Sequence, residues 1–317
     1  FGSSSICLNQ FTQAVALTQL HGDPSSTRMG MSYYEHFVWA FPLYKILTTN
    51  VVDQGIVNPK DYFNASVQNF VVTLIITWSI TTYYDPNQYK NHPVKPIIGN
   101  QNPCFGWDYP PASYVAVFMC SMNVYFTWRW AFLENARTKL QSEDPNHRGN
   151  FVQNFAKFTT WNMAFASNGW LLLWLVGPAD THYTADVDML TWDKDALGMV
   201  AWTIHIGIFG MYTLACFLAL LGNWLEVRFS PRRAVLQWYH TAFVIVYGWA
   251  VMYLVFTYLY AIMLYELGEP PATGSKYPTL IADLVWSFAT MAIPYFTAPE
   301  IPLKITVEMA TDTIEDK

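Results

Sequence analysis

Six stretches of the chain run apolar with charges confined to their ends: Phe63 to Tyr84, Ala112 to Phe132, Phe158 to Gly177, Gly198 to Gly222, Val235 to Leu264, and Leu280 to Phe296. A bilayer core about 30 Å thick takes roughly 20 mostly apolar residues in helix, so each stretch is a predicted transmembrane helix. The first also carries Asn64, Ser66, Gln68 and Asn69, and the last holds Asp283 and Pro294. Before them, Tyr33 to Leu47 is aromatic-rich, too short for a span and interrupted by Pro42, and it reads as an interfacial segment. The pattern predicts an all-α, polytopic membrane helical bundle of about six transmembrane helices. Residues 1–62 are its N-terminal extramembrane and interfacial segment, 63–297 the membrane domain and 298–317 a polar C-terminal tail.

Loop charges test the span count independently. The loop after the second span holds Arg137, Lys139, Arg148 and Lys157, and the loop after the fourth holds Arg228, Arg232 and Arg233. Between the third and fourth spans the chain is acidic, with Asp180, Asp186, Asp188, Asp193 and Asp195 against Lys194. Six spans place both basic loops on one side, which the positive-inside rule makes the cytoplasmic side or its organellar equivalent. Both termini then lie there too, although Lys90 and Lys95 fall in an opposite-side loop. Trp107, Trp128, Trp130, Trp192, Trp202, Trp224 and Trp238 fall near predicted span ends, where they read as headgroup-level anchors.

Composition agrees. Of the 317 residues, 53% are apolar and 13% charged, the latter about half the usual share of a soluble domain. The net charge of −6 is mild and the cations are dispersed among loops, which argues against nucleic acid as a partner. Cys120 and Cys216 lie in apolar runs, Cys7 near the N-terminus and Cys104 in a loop, with no spacing that suggests a disulfide or a zinc site. No basic segment with a short apolar core precedes the first span, so any targeting segment is expected to have been removed or never present.

Polar groups at membrane depth are costly and mark candidate chemistry. His205 and His240 are the first candidates, but two axial ligands of one haem must sit at nearly one depth. At a 1.5 Å rise per residue they lie roughly 10 Å below the outer face and roughly 7 Å above the inner one, about 13 Å apart in depth. A haem-binding subunit is therefore a minor alternative, and hydrogen bonding to neighbouring helices is the plainer role. No span holds a lysine for a retinal Schiff base. Asp283 and Arg129 lie close to span ends, where interface access accounts for them.

Lys157-Phe158-Thr159-Thr160-Trp161-Asn162, Arg228, the aromatic run Tyr247-Gly248-Trp249 through Phe256-Thr257-Tyr258-Leu259-Tyr260, and Gly274, Tyr277-Pro278 and Leu280 form a pattern over the second half of the chain. It resembles the rolling-stone and androgen-induced-protein-like six-span membrane family. Some members of that family hydrolyse fatty-acid esters with an intramembrane Thr nucleophile and a His partner. The resemblance implies Thr160 as nucleophile, with Thr159 as the alternative alignment, and His205 as the nearest counterpart of the His. By depth His240, about one turn deeper than Thr160 on the same side, is the better-placed base. The plain alternative for both threonines is a hydrogen bond to the preceding helical turn.

Gly207, Gly210, Ala215 and Ala219 permit close helix approach, and Asn123, Asn162 and Asn168 are placed to bridge helices. Asn64-Ala65-Ser66 matches a glycosylation acceptor but falls at the membrane edge on the inner side. The leading expectation is an accessory or scaffold subunit of a larger membrane assembly, without a catalytic site or cofactor of its own. Its expected partners are membrane lipids, some structurally bound, and other membrane subunits. The alternatives are a lipid-ester hydrolase using Thr160 with His240 or His205, and a haem-binding subunit.

Overall fold

The computed structural model describes residues 15–18, 43, 46–47, 56–92, 94–108, 110–142, 151–173, 196–229, 236–269, 274, 276–298 and 303–307. Two short strands come first, β1 (Val15–Thr18) and β2 (Ile56–Val57). Helix α1 (Pro59–Tyr84) follows, then the short helices α2 (Pro86–Lys90) and α3 (Lys95–Ile98) and a 3-10 turn at Pro103–Trp107. The remaining helices are α4 (Ala112–Ser142), α5 (Phe151–Ser167), α6 (Gly169–Leu173), α7 (Ala196–Phe229), α8 (Trp238–Glu266) and α9 (Lys276–Phe296). Strand β3 (Leu303–Val307) closes the order and pairs antiparallel with both β1 and β2.

Four helical segments are long and apolar enough to cross a bilayer: Pro59–Tyr84, Ile206–Phe229, Trp238–Tyr265 and Lys276–Phe296. The chain is thus helical and of the integral membrane class. The predicted second and third spans also form helices but fall short of that criterion among the described residues. In α4 the C-terminal half brings Arg129, Glu134, Arg137 and Lys139 into the same helix. At the third span, α5 has only 17 residues and stops at Ser167, before the five-residue α6. Most of the aromatic N-terminal segment, the acidic loop, Arg148, Arg232 and Arg233 lie outside the described residues.

Local chemistry explains why α1 begins earlier than its apolar run. Asn58 caps it, its side chain accepting from the Lys60 amide, Pro59 occupies the first position and Asp61 the first turn. Pro294 lies in the last turn of α9, where it removes a single hydrogen bond near a helix end and does not break the helix.

The six long helices form a closed ring in which each packs on its neighbours in the chain, α1 on α4, α4 on α5, α5 on α7, α7 on α8 and α8 on α9, with α9 returning to α1. Two close approaches require glycine. A Cβ on Gly222 of α7 would meet the Thr159 hydroxyl of α5, and one on Gly106 would fall 2.7 Å from the Trp78 Cα of α1. At the centre stands Phe70, whose ring lies 5.2 to 6.1 Å from those of Trp107, Trp170, Tyr212 and Trp286. These rings join the 3-10 turn, α6, α7 and α9 to α1, and such pairs contribute beyond their buried area.

That aromatic centre corrects the anchor reading for two tryptophans. Trp107 is 3% and Trp130 4% exposed, so both are core residues. Trp238, 80% exposed in the first turn of α8, fits a headgroup anchor, while Trp224 donates to the Thr241 hydroxyl at 3.0 Å. Trp192 and the side chain of Trp202 lie outside the described residues.

The start of α1 and the end of α9 meet at one end of the ring. Lys60 Nζ donates to the carbonyls of Thr297 and Ala298, each at 2.7 Å, and β2 pairs with β3 directly beyond them. Segments from the two ends of the chain, 1–62 and 298–317, are therefore joined in one three-stranded sheet of order β1-β3-β2.

Candidate functional site

The residues proposed from sequence occupy ordinary helical roles. Thr160 Oγ1 donates to the Ala156 carbonyl at 2.8 Å and Thr159 Oγ1 to the same carbonyl at 3.0 Å, the back-bonding that a buried helical threonine adopts. His240 sits in the first turn of α8, where its Nδ1 accepts from the Gln237 amide at 3.1 Å and closes a capping box. Helix α5 packs on α4 and α7, whereas α8 packs on α7 and α9. No hydrogen bond joins Thr160 to His240 among the described residues. His205 lies in α7, in the part whose side chains fall outside the described residues.

Two of the three asparagines read as helix bridges, Asn123 and Asn168, act across elements. Asn123 Nδ2 on α4 donates to the Ser66 carbonyl of α1 at 3.0 Å, and Asn168 Oδ1 accepts from Trp128 Nε1 at 3.0 Å. Asn69, one of the polar residues of the first span, donates to the Met119 carbonyl of α4 at 2.6 Å. Ala215 and Ala219 are buried, while a Cβ on Gly207 or Gly210 would meet nothing within 4 Å.

Two polar clusters are richer than anything the pattern suggested. At the end of the ring holding β2 and β3, Arg137 of α4 lies between two carboxylates. Its Nε donates to Glu134 Oε2 at 2.9 Å, and its Nη2 donates to both Glu134 Oε1 and Glu226 Oε2, the latter on α7. All three residues are at most 4% exposed. Arg137 is accordingly no loop charge but a buried tie between helices, the fork geometry of its guanidinium suiting two carboxylates at once.

At the opposite end, the connection from α3 to the 3-10 turn folds over α8 and α9. Gly99 at φ 76 ends α3, and Asn102 caps the 3-10 turn by accepting from the Cys104 amide at 2.7 Å. The Asn102 Nδ2 donates to the Tyr258 hydroxyl at 2.6 Å, and that hydroxyl donates to Asp283 Oδ1 and Oδ2 at 2.8 and 3.1 Å. Alongside, Asn100 Nδ2 donates to Thr279 Oγ1 at 2.9 Å, which passes its own proton to the Ile98 carbonyl at 2.6 Å. Asp283 is 5% exposed, so it does not reach the interface as its position near a span end had suggested.

Beside this cluster, His92 Nε2 lies 2.8 Å from Asp108 Oδ2, and its Nδ1 accepts from the Val94 amide at 3.2 Å. The backbone bond assigns the proton to Nε2, and the ring stacks on Phe105 at 3.8 Å. With both ring nitrogens engaged and the residue 1% exposed, His92 fastens the loop and has no nitrogen free to take a proton from a substrate. Burial pushes the Cys104 thiol up, and the carboxylates of Asp283 and Asp108 push it the same way. Cys104 is therefore held as a thiol, the opposite of an activated nucleophile.

An apolar groove of about 330 Å³ opens between α1 and α9, lined by Leu43, Val67, Val71, Val72, Met291 and Tyr295. Its polar lining residue, Gln68, has Oε1 engaged by the Leu43 amide at 3.0 Å. No group of three or more His, Cys, Asp or Glu side chains able to hold a metal ion occurs among the described residues.

The ring of helices and its polar ties define an integral membrane protein of the helical class. Comparison with protein-family models, with curated proteins and with solved structures finds no match.

Proposed function

We propose that the chain is a structural or accessory subunit of a larger membrane assembly, without a catalytic site of its own. The observation that carries this reading is where the interior polar side chains are spent. Asn69 and Asn123 tie α4 to α1, Arg137 ties α4 to α7, and Asn102 and Tyr258 tie the α3 connection to α8 and α9. A nucleophile needs a base within hydrogen-bond reach, whereas the candidate Thr160 donates to its own helix and His240 commits its Nδ1 lone pair to a helix cap. Chemical cross-linking in the native membrane tests the proposal. Reproducible products with the same few membrane proteins are the expected result, and products with itself alone would overturn it.

The topology that goes with this reading has six crossings, α4 and the α5–α6 pair joining the four more apolar helices, and both termini on the cytoplasmic or equivalent inner side. The meeting of α1 and α9 at one end of the ring supports an even count. Arg228, Lys139 near the end of α4 and Lys157 near the start of α5 fall at that same end, which supports the inner assignment. The groove between α1 and α9, apolar and open, supports a bound lipid chain there.

A further inference from the structure

Asp283 is a buried carboxylate with no counter-charge among the described residues. Buried charges in proteins are ordinarily paired or coordinate a metal ion, because an unpaired ion loses its hydration without return. The groups facing Asp283 are neutral: the Tyr258 hydroxyl from α8, and the Asn100 and Asn102 amides and the Cys104 thiol from the α3 connection. Beyond Cys104, Asp108 accepts a hydrogen bond from the neutral His92 ring. On its own helix the cation is Lys276, whose ammonium lies over the Tyr277 ring, 5.6 Å from its centroid.

A second observation points to the same place. Asn100 is 6% exposed, and while its Nδ2 is satisfied by Thr279, its Oδ1 has no hydrogen-bond partner. The site thus combines a buried carboxyl without a counter-charge and a buried acceptor that lacks a donor. Donation from Asn102 into the Tyr258 oxygen turns the Tyr258 proton toward the carboxylate, the arrangement that an ionised Asp283 requires.

We propose that Asp283 is the anchor of a binding site for a small alkali cation. Its ligands are the Asp283 carboxylate, the Asn100 Oδ1 and the remaining lone pair of the Tyr258 hydroxyl. All are hard oxygens, as such cations prefer. A single carboxylate balances a single charge, which selects a monovalent ion over a divalent one. Nothing in this proposal depends on the assembly role above, and either can fail without the other.

Thermal unfolding of the purified chain in detergent tests it, at fixed pH and ionic strength, in lithium, sodium or potassium chloride against choline chloride. A saturable rise in the unfolding temperature with at least one alkali cation is expected, absent in choline and absent in Asp283→Asn. Asn100→Leu and Tyr258→Phe should weaken the half-saturating concentration roughly 10- to 100-fold, and they keep the test open if Asp283→Asn fails to fold. Equal stability of the wild type in all four salts would overturn the site. So would an unaltered alkali response in the variants, or an infrared band of a protonated Asp283 that persists at the highest alkali concentration.

Discussion

The two ends of the helical ring solve the problem of buried charge in opposite ways. At one end Arg137 shares one guanidinium between Glu134 and Glu226, so helices α4 and α7 are tied by an ion network internal to the chain. At the other, Asp283 receives neutral donors only, and its tie to α8 and the α3 connection is made of hydrogen bonds without a matching positive charge. Removing a partner from the first leaves carboxylates stranded. Removing the charge from the second leaves the donors but relieves the imbalance.

The largest expected effect is therefore Arg137→Ala, which strands two buried carboxylates and should cost about 3–5 kcal/mol. Unfolding of the purified protein in detergent measures it, and adding Glu134→Gln and Glu226→Gln should recover much of the loss. Next comes Tyr258→Phe, which removes the donor to Asp283 and the acceptor of Asn102 and should cost about 1–3 kcal/mol. Asp283→Asn, in choline chloride, should differ from wild type by less than Tyr258→Phe does, since an amide keeps an acceptor for Tyr258 and carries no charge.

The helices were legible because a long apolar run with terminal charges has few other readings in water or lipid, and α7, α8 and α9 follow it closely. Hydropathy does not register the break within the third apolar stretch, where α5 stops at Ser167 and the short α6 follows. Tryptophan carries no mark in sequence that separates a belt residue such as Trp238 from a core residue such as Trp107, since both lie near the ends of apolar runs. The Asp283 cluster depends on Asn100 meeting Thr279 across 179 positions, a closure that periodicity cannot reveal. A faint local signal existed in Asn100-Gln101-Asn102-Pro103, where an Asn before Pro suggests a capped turn. Arg137 was read as a loop charge because a helix that continues past the hydrocarbon looks, in sequence, like the loop that begins there.

Two smaller effects sharpen the contrast further. With the Cys104 thiol pushed up by burial and by Asp283 and Asp108, its labelling by a maleimide should be slow at neutral pH and accelerate only as pH rises above the ordinary thiol range. The sign follows from linkage: the folded chain keeps this proton longer than the unfolded one, so Cys104 favours the fold below the ordinary thiol pKa and that contribution falls as pH climbs past it. Asp108→Asn should speed the labelling at a given pH. The smallest effect is Thr160→Ala, which belongs to neither cluster and removes a bond within its own helix. It should shift stability by only about 0.6 kcal/mol and leave any lipid-ester hydrolysis by the preparation unchanged, as measured by fatty-acid release.

The most direct measurement of what these ties serve is the native mass of the particle released from its membrane in mild detergent. A structural subunit predicts a particle of several different chains in fixed stoichiometry, with this one among them. A particle containing this chain alone, stable and folded without companions, would contradict that role.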